Sequence, residues 1–375
     1  MRSAARSGFA LPAAIFALVL LSALVAGALF VSVDELRSGR SDTAGQRALA
    51  LAEAALDSAV LAWDSRRNTG DSVGARFGTG WRSVPNAAVS IEAVRLQRRS
   101  VSMSASALAV GDGRPIPVRQ SVAVALRLVG AGVAARAALV TPGAVVIDGG
   151  IVDGGDSVRV RDAARVCDEP QAAAGIVVAD ATRITCVGCG SGYEPAVRGS
   201  PAVDVSGAVN PGVVELGDET RVTLAARAAI DVPAGSFGPV ASIANGECDR
   251  SDRMNWGDPT GGSVCGDWYP IIHVRGDATI VAGAMGQGIL LVDGSLRVET
   301  NARFAGVVVV DGGVVVDGLG AEIDGVVFAL GSDPSSPSRV VNGGAIRYAS
   351  CAVRRATLGS ARVVRTAERS WVELR

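Results

Sequence analysis

Between Phe9 and Val33 the chain carries no charged residue: FALPAAIFALVLLSALVAGALFVSV. These 25 residues exceed the roughly 20 that an α-helix needs to cross the hydrocarbon core of a bilayer. No polar face interrupts the run, so the helix is apolar on every side and has to be covered all round, by lipid or by protein. Arg2 and Arg6 precede it and predict that this end stays in the cytoplasm while the rest is exported.

The helical signal does not stop at the charges Asp34, Glu35, Arg37 and Arg40. The segment AGQRALALAEAALDSAVLAW has good helix formers and no proline, with Leu49, Ala52, Leu56, Ala59, Val60 and Trp63 three or four apart. Arg66, Arg67, Asn68, Thr69 and Gly70 supply an end. The spacing therefore predicts one helix over 9–67, roughly 85 Å long at 1.5 Å per residue. Its first half (9–33) is transmembrane, and only its outer half needs a globular partner.

A short basic leader ending in Gly8, an aromatic Phe9, a membrane-length helix and the AEAA element at Ala52, Glu53, Ala54 and Ala55 resemble the N-terminus of type IV pilin-like proteins. Within them the likeness is to PilX-like minor pilins and to the tip pseudopilin of type II secretion, and it spans residues 1–67. It implies that 1–8 is a prepilin leader, cut between Gly8 and Phe9 by prepilin peptidase. It also implies assembly with other pilins or pseudopilins through the helix, first in the bacterial inner membrane and then in a cell-surface fibre. Major pilins carry a glutamate at the fifth mature position; here that position is Ala13. Without the carboxylate the subunit is poorly suited to neutralise a neighbour's buried terminal ammonium, which points to a tip-proximal or initiating minor subunit.

Beyond the helix the composition favours β-structure: 49% apolar residues but only 4% aromatic, with 47 glycines between short runs. Three alternating segments within 71–136, AAVSIEAVRLQ, SVSMSASALAV and RQSVAVALRLV, read as antiparallel strands that cover the helix stripe in a pilin-like α+β headpiece. From 139 to 350 short Val and Ile runs begin at Ile272, Ile289, Val307 and Val326, at intervals of 17, 18 and 19 residues. That repetition predicts a parallel β-helix interrupted by an insertion at 233–270, with a β-sandwich as the alternative. The fold class is thus mainly β with one long N-terminal α-helix. A C-terminal tail, 351–375, alternates and is placed at a sheet edge, with Trp371 as an anchor.

The formal charge of −1, from 36 arginines without a lysine against 37 acidic residues, gives nucleic acid no basic patch to bind. Six cysteines, an even set, read as disulfides in an exported domain: Cys248 with Cys265 closing a polar loop, and Cys186, Cys189, Cys167 and Cys351 in one of three arrangements. Asp148, Asp153, Asp293, Asp311, Asp317 and Asp324 precede glycines and read as turns. Asp148, Asp153 and Asp156 lack a calcium-loop spacing, and the single histidine, His273, reads as a satisfied strand residue. No nucleophile elbow, zinc or phosphate-loop motif is present, so neither enzyme activity, metal nor cofactor is expected. Trp256, Trp268 and Tyr269 in the insertion are candidates for an exposed contact surface. Two other readings start from different processing. Cleavage near Ala26, Gly27 and Ala28 would release a secreted β-helix that binds or cuts glycans; no cleavage would leave an anchored adhesin.

Overall fold

A computed structural model describes residues 10–109, 117–133, 137–156, 172–190, 193–206, 214–333, 336–366 and 371–374. Helix α1 spans Ala10–Leu61, 52 residues and about 78 Å. It ends short of the predicted 67. Asp64 accepts a hydrogen bond from the Arg66 backbone N–H at 3.0 Å and so starts a separate helix, α2 (Arg66–Gly70). Trp63 turns inward at the break, with its ring 5.6 Å from Phe77 and its Nε1 donating to Asn68 Oδ1 at 2.8 Å.

Four antiparallel strands follow: β1 (Arg76–Val84), β2 (Ala87–Gln97), β3 (Ser100–Ala109) and β4 (Val118–Val129), side by side in chain order. Alternation along β3 buries Val101, Met103, Ala105, Ala107 and Ala109, while the intervening serines stay half-exposed. The buried set, with Val122, Val124 and Leu126, packs on Ala48, Ala52 and Leu56 of α1. Alanines spaced along the stripe let the sheet lie close against the helix. Three of the four strands match the sequence reading; β1, RFGTGWRSV, has no apolar alternation to reveal it.

The chain then enters a parallel coil. Its first arm comprises β5 (Ala137–Val140), β6 (Val145–Asp148), β7 (Ile151–Asp153), β8 (Ala174–Val177), β9 (Ile184–Val187), β10 (Val197–Arg198) and β11 (Val203–Asp204). Helix α3 (Arg221–Ala226) leads to the second arm, which opens with β12 (Ile230–Phe237) and an insertion bearing the hairpin β13 (Ile243–Ala244) and β14 (Glu247–Cys248). It continues through β15 (Ile271–Ile280), β16 (Met285–Val292), β17 (Leu296–Val298), β18 (Arg303–Val310), β19 (Val314–Asp317), β20 (Glu322–Ala329), β21 (Ser338–Val341) and β22 (Ala345–Tyr348). After helix α4 (Ser350–Gly359), strands β23 (Arg362–Arg365) and β24 (Trp371–Leu374) return to pair antiparallel with β4.

Sixteen coil strands form one curled sheet in which each pairs in parallel with the strand one turn away. Parallel register excludes the sandwich and gives the β-helix. Ile271, Ile289, Val307 and Val326 stand in line, so the intervals are 18, 18 and 19 residues and the repeat begins one residue before Ile272. Each of β16, β18 and β20 turns a corner at a glycine, and Gly288, Gly306 and Gly325 stack directly. All three have φ between 115° and 149°, and a Cβ on Gly306 would run into the Gly288 carbonyl. Leu290, Val292, Val308, Val310, Val327 and Ala329 fill the interior. Their neighbours Ile289, Leu291, Val307, Val309, Val326 and Phe328 point outward into a second core, closed by Leu216, Leu224 of α3, Tyr269 and Ala356 of α4. Burial on both faces explains why these strands read as unbroken apolar runs.

Three boundaries differ from the sequence reading. The coil begins at Ala137, not 139; β12 already pairs along its length with β15, so the insertion is 238–270; and the tail opens with α4. Asp324 is also not a turn residue. It lies buried within β20, one of the three corner strands, because the following Gly325 serves the corner.

Candidate assembly surface

From Leu11 to Leu36 the apolar side chains of α1 are exposed in every direction, from Phe16 at 66% and Leu24 at 69% to Phe30 at 78%. Among the described residues this is the one helix long and apolar enough to cross a membrane. Pro12 sits in its first turn, where no intrahelical N–H bond is lost. Ser22 donates its hydroxyl back to the Leu18 carbonyl at 2.7 Å, so it presents no unpaired polar atom to an apolar surround. No acidic residue occurs between Ala10 and Val33, and Ala13 is exposed. Gly8 and Phe9 lie outside the described residues.

About two turns beyond Leu36, the same helix becomes core. Ala44, Ala48, Ala52 and Leu56 are at most 4% exposed, and Asp57 pairs with Arg365 of β23. Because α1 is continuous, whatever covers its first half fixes the orientation of the head. At the far end, Asn68 donates Nδ2 to the Ala361 carbonyl at 2.8 Å, and Arg95 of β2 donates to the Asn68 carbonyl at 2.9 Å. Sequence reasoning missed this polar knot between head and coil, since its partners lie 293 positions apart for Asn68.

The insertion folds back on the coil instead of presenting its aromatics. Trp256 is fully buried 5.5 Å from Phe237 and donates Nε1 to the Arg253 carbonyl. Tyr269 is 5% exposed in the outer core, and Trp268 is half-buried beneath Arg250, 4.9 Å away. The three therefore form no exposed contact surface. Gln287, from the coil, donates Nε2 to the carbonyls of Gly266 and Trp268 at 3.0 and 2.9 Å and pins the loop down. Cys248 and Cys265 are joined, as are Cys186 and Cys189; Cys351 is disulfide-bonded, and Cys167 lies outside the described residues.

The polar clusters of the coil are stitches between turns. His273 stands between Asp231 and Asp293, 3.2 and 3.1 Å away, on the adjoining turns. Arg221 of α3 reaches Asp293 and Asp311. Burial alone would raise Asp293, but His273 and Arg221 hold its carboxyl below the ordinary value. Burial likewise opposes ionisation of Glu322, and hydrogen bonds from Arg347 and Arg303 overcome it. Asp153 accepts from the Gly155 N–H and Asp156 from Ser350 at the start of α4, so these carboxylates serve the backbone. Among the described residues no group of three or more His, Cys, Asp or Glu side chains is placed to hold a metal ion.

No protein-family model matches the chain, and no curated protein does. Among solved structures the chain is similar to the competence-associated pilin ComZ from Thermus thermophilus, at 12% identity over 90% of this chain and 97% of that one, with a TM-score of 0.22. A TM-score of that size does not make the two folds equivalent.

Proposed function

We propose that the chain is a minor pilin-like subunit of a type IV pilus or secretion pseudopilus, structural rather than catalytic, held first in the inner membrane and assembled through α1. The observation that carries this reading is the two-part character of α1. Its first half is apolar all round and uncovered, while its second half is locked into the head. Lipid covers such a surface before assembly, and helices of other subunits cover it afterwards, so the head is carried wherever the helix packs. The missing carboxylate at Ala13 favours a tip-proximal or initiating position. Prepilin peptidase would cut between Gly8 and Phe9, and the coil, projecting from the head, would be the part offered for adhesion.

The test is the mass and N-terminal sequence of the protein isolated from its native envelope. A start at Phe9, N-methylated, is the expected result. A start at Leu29 would replace the reading with a secreted β-helix protein, and an intact Met1 would leave an anchored adhesin outside any fibre.

A further inference from the structure

The knot between head and coil holds buried donors that no group of the protein accepts. Arg95 is 3% exposed, and its Nη2 donates to the carbonyls of Asn68 and Arg98. Its Nε and Nη1 are buried with no hydrogen-bond partner, and so is Asp71 Oδ2, which stands 3.5 Å from Arg67 Nη1. Unpaired donors on a buried cation are costly, and a fold keeps them where something else accepts their hydrogen bonds. A cavity of about 250 Å³ lies beside them, lined by Asn68, Asp71, Ser72, Arg95, Arg98 and Leu358. At ~30 Å³ per water it has room for a small polyatomic ion with part of its hydration shell. Desolvation pulls the Arg95 guanidinium below its ordinary pKa, and the nearby Asp71 acts against that.

We infer that this cavity binds a small tetrahedral oxyanion that still carries a proton, of the inorganic phosphate class. Arginine offers only donors and an ionised carboxylate only acceptors, so an occupant that accepts from Arg95 and also donates to Asp71 satisfies both at once. Hydrogen phosphate does both. Sulfate has no proton at neutral pH and would set an oxygen against the Asp71 carboxylate. The phosphate is free and not a lipid headgroup, because α1 runs a further 28 residues from Val33 to Leu61, about 42 Å, before reaching the cavity.

The experiment is titration of the full chain, in a phosphate-free detergent, with inorganic phosphate and separately with sulfate, followed by calorimetry and by 31P line broadening. Saturable binding of one phosphate is expected, at least ~10-fold tighter than sulfate, with Arg95→Met weakening it by at least ~10-fold. Asp71→Asn, which supplies a donor, should narrow the gap between the two anions. Because Arg95→Met alters a buried residue, the Asp71→Asn selectivity change stands as the second test if that variant fails to fold. No phosphate binding, equal affinity for both anions, or binding unaffected by both substitutions would overturn the inference. So would a phosphatidic acid 31P signal, in nanodiscs free of inorganic phosphate, that changes with Arg95→Met.

Discussion

At Gly306 the backbone sits at φ 138° with the Gly288 carbonyl directly behind its Cα, and Gly325 repeats the arrangement one turn on. A methyl group there meets backbone on one side and strains the dihedral as well. Gly306→Ala is expected to destabilise the coil by about 3 kcal/mol, read as a lower denaturation midpoint with the head signal unchanged. Glu322 gives a pH-dependent counterpart. Its folded pKa is held below the unfolded value of about 4.3, so its contribution is complete above that pH and is lost as the pH falls through the folded value. Between pH 5 and 3 the wild type should lose more stability than Glu322→Gln; equal losses would show that the pairing with Arg303 and Arg347 does not matter. Both residues stood in the sequence as members of glycine-rich repeats, but only their register revealed what they touch. The aromatics of the insertion make the same point: Trp256 occupies a polar loop, and its burial depends on Phe237 nineteen positions earlier.

Among elements, α1 is the one the sequence describes most fully, because the change from all-round to one-sided apolarity is written along a single helix. Ala52 faces the sheet with no exposed surface, whereas Leu20 is 48% exposed. Ala52→Leu should cost the head about 1–3 kcal/mol through overpacking, and Leu20→Ala should leave head melting within about 0.5 kcal/mol. Circular dichroism of both variants checks the contrast; a large effect of Leu20→Ala would mean that the first half of α1 is covered within the chain. Strands β2 to β4 were legible from alternation and the long coil strands from their repeat. The rest was not, for physical reasons. Edge strand β1 buries little and so carries no period, the α1 break rests on a side-chain bond from Asp64 to the Arg66 N–H and on Trp63 packing against Phe77, neither of which has a periodic signature, and α4 is short and half-apolar.

On the scale of the whole molecule, the coil is an insertion into the head, leaving after β4 and returning as β23, which lies against β4. Its two ends must therefore meet, yet eight turns stacked on one face would separate them by about 34 Å if wound in chain order. The chain resolves this by winding the coil in two arms. The first starts in the middle at β5 and advances to β11; the chain then returns along the outer core to the opposite end and winds from β12 back to the middle. Both β22 and β5 pair with β20, Tyr348 opposite Gly325 and Leu139 opposite Val327, so one arm stops where the other starts. A sequence scan finds repeats in each arm but cannot see that their order along the axis is reversed. A permuted coil, with 214–361 joined by a linker to 137–204 so that α3 and α4 still close the outer core, and freed from the head, should fold as one continuous β-helix. Far-ultraviolet circular dichroism and a cooperative thermal transition would verify it. Separate melting of the two arms would mean that the contact between β20 and β5 is too weak to unite them, and that the head is needed to hold the coil together.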